Sequence, residues 1–256
     1  MKRIILRELA VAALLVAAPL NLAGAAEMPL KAPAVVLFDW TGFYAGADAG
    51  YSWGSSRATT TADSSLLGAV YTQGVTHKGW EASVEGGYCW QSPVAMAACF
   101  EVRYDFPRER SGTTSIDIPL TTVYNQTRID PLLIGPQLGF LTDLNRTMWY
   151  VAGGLAVGEV GGSSTAIGTG GTSVADPANK WITGWYVGAG IEHMIDRHWG
   201  LKVEYDYVRL ASSGACAPYV GSNYATFTGL GASSCLGANA FDNVTTVGID
   251  YHFGAH

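Results

Sequence analysis

GWYVGAGIEHMIDRHWGLKVEYDYVRL, residues 184–210, consists of two alternating segments joined by a turn. In the first, Trp185, Val187, Ala189 and Ile191 share one parity, and Tyr186, Gly188, Gly190 and Glu192 share the other. A period of two puts the sets on opposite faces of a β-strand. In the second, Leu201, Val203, Tyr205 and Tyr207 alternate with Lys202, Glu204 and Asp206. Each strand has one apolar face and one face of glycine and charge. Either a soluble core or lipid could meet such an apolar face.

The pattern recurs outward from this hairpin. Strands are predicted over Phe43–Gly54, Gly79–Trp90, Ala98–Phe106, Ile129–Leu141 and Trp149–Gly158, and the last over Val244–Phe253, making eight with the opening pair. The fourth is the least regular, because Pro131 and Pro136 each remove a ladder donor, and a bulge is expected there. Connections alternate in length. Those after the second, fourth and sixth strands are short (Gln91–Ala97, Thr142–Met148, Met194–His198), whereas the others exceed about 18 residues, beyond the usual loop range. Short turns at one end and long loops at the other are the signature of an outer-membrane barrel, with long loops outside and short turns in the periplasm. The loops hold low-complexity stretches rich in Ser, Thr, Gly and Ala: Ser55–Ser65, Gly158–Val174 and Ala211–Ala240.

Composition supports a membrane setting. Only 14% of the 256 residues are charged, against about 25% in an average soluble protein. Residues 1–26 read as a signal peptide: Lys2, Arg3 and Arg7 precede an apolar run from Leu9 to Leu22, followed by small residues at 23–26. Residues 27–40 read as a short extended periplasmic lead-in, and 41–256 as the barrel with four long external loops. No later apolar run is long enough for a spanning helix, which excludes a helical membrane protein. The net charge of −6 argues against a nucleic-acid partner.

A soluble lipocalin-like barrel is the main competitor, but its exterior would need abundant Lys and Glu. Here the polar face is mostly glycine with carboxylates, which suits a narrow interior. The apolar face carries aromatics at both strand ends. Phe43, Trp90, Phe140, Trp149, Trp199 and Phe253 lie toward the short turns; Trp53, Trp80, Phe106, Trp185 and Tyr207 lie toward the long loops. Two aromatic belts around an aliphatic band are expected at the two lipid interfaces. The predicted fold class is therefore all-β, an eight-stranded antiparallel up-and-down transmembrane β-barrel.

The stretches WTGFYAGADAGYSWG (40–54), YVAGGLAVG (150–158) and 184–210 resemble the small alphaproteobacterial outer-membrane proteins of the Omp25/Omp31 group, within the porin-like, OmpA-like barrel superfamily. The resemblance covers essentially the whole mature chain. It implies an eight-stranded outer-membrane barrel, a surface-antigen role and, for some members, haem binding. Such chains usually end on Phe; here Gly254-Ala255-His256 follow Phe253.

Four cysteines in an exported chain allow three pairings. If Cys89 faces Cys99 across the second and third strands, the same register sets Glu85 opposite Arg103, which favours that pair and leaves Cys216 with Cys235. Inward charges are expected at Asp48, Glu81, Glu85, Glu101, Arg103, Asp105, Glu192, Lys202, Glu204, Asp206 and Asp250. Eight strands leave room for side chains and little else, so Arg103 and Lys202 are expected as braces between carboxylates in place of an ion pathway. An enzyme of the outer leaflet would need a nucleophile beside a histidine, but His193, His198 and His252 fall at the short-turn end and no Ser-His-acid spacing stands out. His77, with Tyr71, Tyr124, Tyr219 and Tyr224, is the candidate set for a haem-type ligand, without specific spacing. No cofactor and no metal site is expected. The expected partners are outer-membrane lipid and lipopolysaccharide, the barrel-assembly machinery during insertion, and a host or surface ligand at the loops. The expected role is structural and surface-interactive, with narrow porin-like permeation of small solutes as the alternative.

Overall fold

A computed structural model of the chain describes residues 37–254, apart from 62–69, 108–111, 119–120, 169–170, 176–179, 212–214, 219 and 222–232. The expected signal peptide and most of the lead-in lie outside the described residues. Strands β1 (Gly42–Thr61), β2 (Val70–Ser92) and β3 (Met96–Pro107) are followed by the short β4 (Gly112–Ile118). Next come β5 (Thr121–Thr142), β6 (Thr147–Gly168), the short β7 (Gly171–Ala175), β8 (Lys180–Met194) and β9 (Trp199–Ala211). The short β10 (Ala215–Pro218) and β11 (Val220–Gly221) precede the last long strand, β12 (Ser233–His252). The eight long strands pair antiparallel in chain order, and β12 closes the ring on β1 from Tyr44↔His252 outward. Closure removes every free edge from the spanning part. The short strands β4, β7 and β10 pair onto β5, β6 and β12.

The strands run well past the predicted boundaries. β1 and β2 stay in register to Thr61↔Val70, and β5 and β6 to Thr121↔Gly168. Much of the low-complexity sequence expected as loop is therefore sheet, including Ser55–Thr61, residues 158–168 and Ser233–Ala240. Composition hides the reason. In β1 the small residues Ser56, Ala58 and Thr60 are buried while Arg57 faces out, so the inward-outward alternation continues with smaller side chains. Threonine's branched Cβ also favours extended backbone.

The bulge expected in β5 is absent. Ile134 pairs with Leu155 and Gln137 with Ala152, three positions apart on both strands, so no residue is inserted. Pairing to β6 lapses only at Gly135 and Pro136, opposite Gly154 and Gly153. A Cβ on Gly154 would lie 2.7 Å from the Gly135 Cα, so the two backbones approach as only glycines permit. Pro131 stands one residue beyond Leu132, the last residue of β5 paired to β3. No donor is needed on that side.

The outward face is the apolar one. Phe43 is 66% exposed and Trp80 72%, whereas the alternating positions are buried. From Phe43 to Trp53 on β1 is ten residues, about 33 Å along a strand at ~3.3 Å per residue. Tilted by about 40° it stands roughly 25 Å tall, the height of a barrel's lipid-facing band. Aromatic contacts tie each belt laterally. Phe43 meets Tyr88 at 4.7 Å and Trp199 meets Tyr251 at 5.0 Å at one end; Tyr51 meets Trp80 at 5.5 Å and Trp185 meets Tyr207 at 5.7 Å at the other. Trp90, Phe140, Trp149, Phe253, Trp53 and Phe106, the other aromatics expected in the belts, are exposed as well.

The short-turn end is tightly finished. Asp196 Oδ1 accepts the backbone N–H groups of His198 (2.7 Å) and Trp199 (2.8 Å), which hold its carboxyl below the usual carboxylate range. The described end of the lead-in is not a free extended tail. Trp40 is 1% exposed, its Nε1–H donates to the Asn145 carbonyl at 2.6 Å, and its backbone N–H donates to Gln91 Oε1 at 2.9 Å. Its ring meets His252 edge-on at 5.1 Å, and Phe38 packs against it at 5.3 Å. The indole thus stoppers the barrel mouth.

Candidate functional site

All eleven predicted inward charges are buried in the lumen. They come from β1 (Asp48), β2 (Glu81, Glu85), β3 (Glu101, Arg103, Asp105), β8 (Glu192), β9 (Lys202, Glu204, Asp206) and β12 (Asp250). Arg103 lies between three carboxylates. Its Nε donates to Asp105 at 3.2 Å and its Nη1 to Glu204 at 2.6 Å, while its Nη2 donates to Asp206. Lys202 bonds Glu85 and stands 3.7 Å from Asp48 and 3.9 Å from both Glu101 and Glu204. Two guanidinium or ammonium groups therefore organise most of the lumen's carboxylates, as charges out of water require.

Neutral donors complete the network. Tyr44 and Gln137 both donate to Glu101, at 2.8 and 2.7 Å; Tyr150 donates to Glu204; Ser83 donates to Asp48 at 3.2 Å. Glu192 meets the His252 ring nitrogen at 2.8 Å, where His252 also stacks on Tyr44. Tyr44, Tyr150, Gln137, Trp40 and His252 were not singled out from sequence as functional. Inward parity is the signal that finds Tyr44, Tyr150, Gln137 and His252; Trp40 precedes β1 and carries no such signal.

Glycine on the same face gives these groups their space. Gly46 pairs with Asp250, Gly248 with Asp48 and Gly188 with Asp206, and a Cβ on any of the three would strike that partner's carboxylate. Tyr44 likewise covers Gly87, whose Cβ would lie 2.7 Å from the ring. The glycine-and-carboxylate face of the sequence is thus a packing arrangement: large inward groups lie flat over the strand next door.

Apolar side chains flank the charged cluster, interleaved toward the hairpins with the buried Glu81, His77, Asp130 and Asp242. Toward the short turns lie Trp40, Ala97, Leu141, Met148, Met194 and the Cys89–Cys99 disulfide. Toward the hairpins lie Leu133, Ile182, Tyr186, Val208, Leu210 and Ala240. The register sets Cys89 opposite Cys99 and Glu85 opposite Arg103. Cys216 joins Cys235 where β10 pairs with β12.

Among the described residues the haem-type set does not come together as a surface site. His77 is 2% exposed, inside the barrel, with Nε2 3.8 Å from Asp242, because it occupies an inward position of β2. Tyr71 is half-buried and Tyr124 exposed on hairpin extensions, while Tyr219 and Tyr224 lie outside the described residues. Among the described residues no group of His, Cys, Asp and Glu has metal-ligand geometry.

Residues 10–253 match the family described as "Outer membrane protein beta-barrel domain". The chain is 32% identical over 190 residues to the 31 kDa outer-membrane immunogenic protein of Brucella melitensis biotype 1, covering 71% of this chain and 75% of that one. The protein of the same name from Brucella suis biovar 1 gives the same figures. Among solved structures, the outer membrane protein OprG from Pseudomonas aeruginosa superposes with a TM-score of 0.51 at 12% identity, over 84% of this chain and 97% of that one. At that identity the likeness concerns the fold alone.

Proposed function

We propose a role that starts from membership: this chain belongs to the outer-membrane protein β-barrel domain family, resides in the outer membrane, and serves there as a closed, non-enzymatic scaffold that displays hairpins at the cell surface. The observation that carries this reading is the filled lumen. Arg103 on β3 reaches Glu204 and Asp206 on β9, and Lys202 on β9 reaches Glu85 on β2, so the mid-lumen is crossed by side chains, with further buried side chains packed on either side. A continuous water column would need that network to part, at the cost of uncovering several buried charges.

The surface-antigen part of the role is supported by the name of the Brucella relatives and by the long β1–β2 and β5–β6 extensions, which carry sheet well beyond the outer aromatic belt. Host or surface ligands would meet the chain there, and the barrel-assembly machinery would act on it during insertion. Planar-bilayer recording on the purified full chain tests the closed-lumen reading. The expected result is no sustained conductance at moderate voltage. Stable, reproducible current steps would instead establish the porin-like alternative.

A further inference from the structure

The lumen accounts for the inward charges, but not for the basic residues on the outside of the barrel. Arg57 on β1 and Arg209 on β9 both face outward and line one cleft of about 660 Å³. Its other walls include Asn239 and Phe241 of β12, Tyr207 and Gly74, with no carboxylate among the described residues that line it. Among the described residues neither arginine has an ion-pair partner.

The cleft is built by the backbone. Ser55 pairs with Phe241, Arg57 with Ala238 and Thr59 with Cys235, so β12 advances three residues for every two of β1, twice in succession. These are two consecutive β-bulges on β12, and Asn239 within the first adopts φ 47°. Bulges re-aim side chains and part the ladder, and they concentrate beside functional sites. At the facing wall, a Cβ on Gly74 would meet nothing within 4 Å, so the space is open.

Height identifies the occupant. Arg209 pairs with Trp185 and with Phe241, placing it at the outer aromatic belt. Arg57 lies four residues beyond Trp53, roughly 10 Å higher after tilt. Lys78, outward on β2 and paired with Trp53, adds a third cation beside the cleft at the outer belt. Aromatic rings below and unpaired guanidinium groups above match an acyl chain below and a phosphate above. Arginine's planar fork suits phosphate oxygens.

We propose that this cleft binds the phosphorylated headgroup of an outer-leaflet glycolipid, with Arg57 and Arg209 on the phosphate and Tyr207 and Phe241 against the first acyl carbons. The site rests on the proposed orientation, with the hairpins outside. The test titrates the full chain, purified in detergent micelles, with bisphosphorylated lipid A and follows the complex by native mass spectrometry. Wild-type protein should retain one lipid A, dephosphorylated lipid A should bind much more weakly, and millimolar inorganic phosphate should not displace the lipid. Arg57→Gln/Arg209→Gln should weaken binding by about tenfold for each arginine removed, as loss of a charge-assisted hydrogen bond implies. Arg146→Gln/Arg197→Gln, at the short turns, should leave it unchanged. Heat-modifiable electrophoretic mobility checks that each variant is folded, and Arg209→Lys serves in place of the double variant if that one is not. Equal binding by the double variant, equal weakening by the short-turn variant, or displacement by free phosphate would overturn the proposal. An epitope inserted between Ile118 and Thr121 tests orientation separately: failure to label intact cells would refute the orientation, whatever the micelle titration shows.

Discussion

Replacing Arg103 by Met should be among the most costly single changes in this barrel. The side chain is 1% exposed and its three donor nitrogens each engage a different carboxylate, Asp105, Glu204 and Asp206. Met has similar bulk, so the change creates little cavity and acts mainly by leaving three buried carboxylates without their common cation. Breaking a buried ion pair from one side costs about 3–5 kcal/mol. Arg103→Lys keeps the charge, but an ammonium group cannot fork between Glu204 and Asp206, two positions apart on β9, and should recover only part of the loss. Arg103→Met combined with Glu204→Gln and Asp206→Asn removes two of the three stranded charges, leaving Asp105, and should be more stable than Arg103→Met alone by roughly 1–3 kcal/mol. Urea unfolding in phospholipid vesicles, followed by fluorescence of the 8 tryptophans and by heat-modifiable mobility, measures all four proteins. A loss below about 1 kcal/mol for Arg103→Met, or no recovery in the triple variant, would mean that the lumen is hydrated enough to screen these charges.

Two further outcomes follow from the faces of the sheet and the closed mouth. Val203 is 42% exposed in the middle of the apolar band of β9, so Val203→Arg should cost about 2–4 kcal/mol in vesicles, whereas an unchanged unfolding midpoint would place that face away from lipid. Trp40→Ala should lose about 3–5 kcal/mol by emptying the mouth at the short-turn end yet leave bilayer conductance absent, because the charged layer still blocks the lumen; current in this variant alone would make the indole the gate.

The barrel was legible because its determinants are local. Parity, turn spacing and aromatic placement each repeat within a strand or a hairpin, and they give the eight strands, the inward charges and both belts. Strand ends were less legible, since Ser56, Ala58 and Thr60 continue the inward face with residues common in loops. The proline-bearing strand misled for a related reason: Pro136 removes a donor, but the compensation comes from Gly153 and Gly154 on another strand. Trp40 could not be placed at all, because its partners Asn145, Gln91 and His252 belong to three separate turns and strand ends.

Pairings across the lumen were the least legible, and the ring explains why. From β3 to β9 is four steps either way around eight strands, so Arg103 spans the barrel to the strand diametrically opposite. No hairpin register relates the two positions; only the stagger at which β12 meets β1 brings them to one height. The expectation that Arg103 and Lys202 bridge carboxylates could therefore be reached from charge balance alone, while the identity of each partner depends on closure. The same dependence orders the events of assembly. Contacts between Arg103, Glu204 and Asp206 cannot form until the last seam is shut, so they belong to the native side of the folding barrier. Interactions absent from the transition state govern unfolding rates. Arg103→Met should accordingly speed unfolding while leaving the insertion rate near wild type, and slowed insertion with unchanged unfolding would place the network's formation before closure.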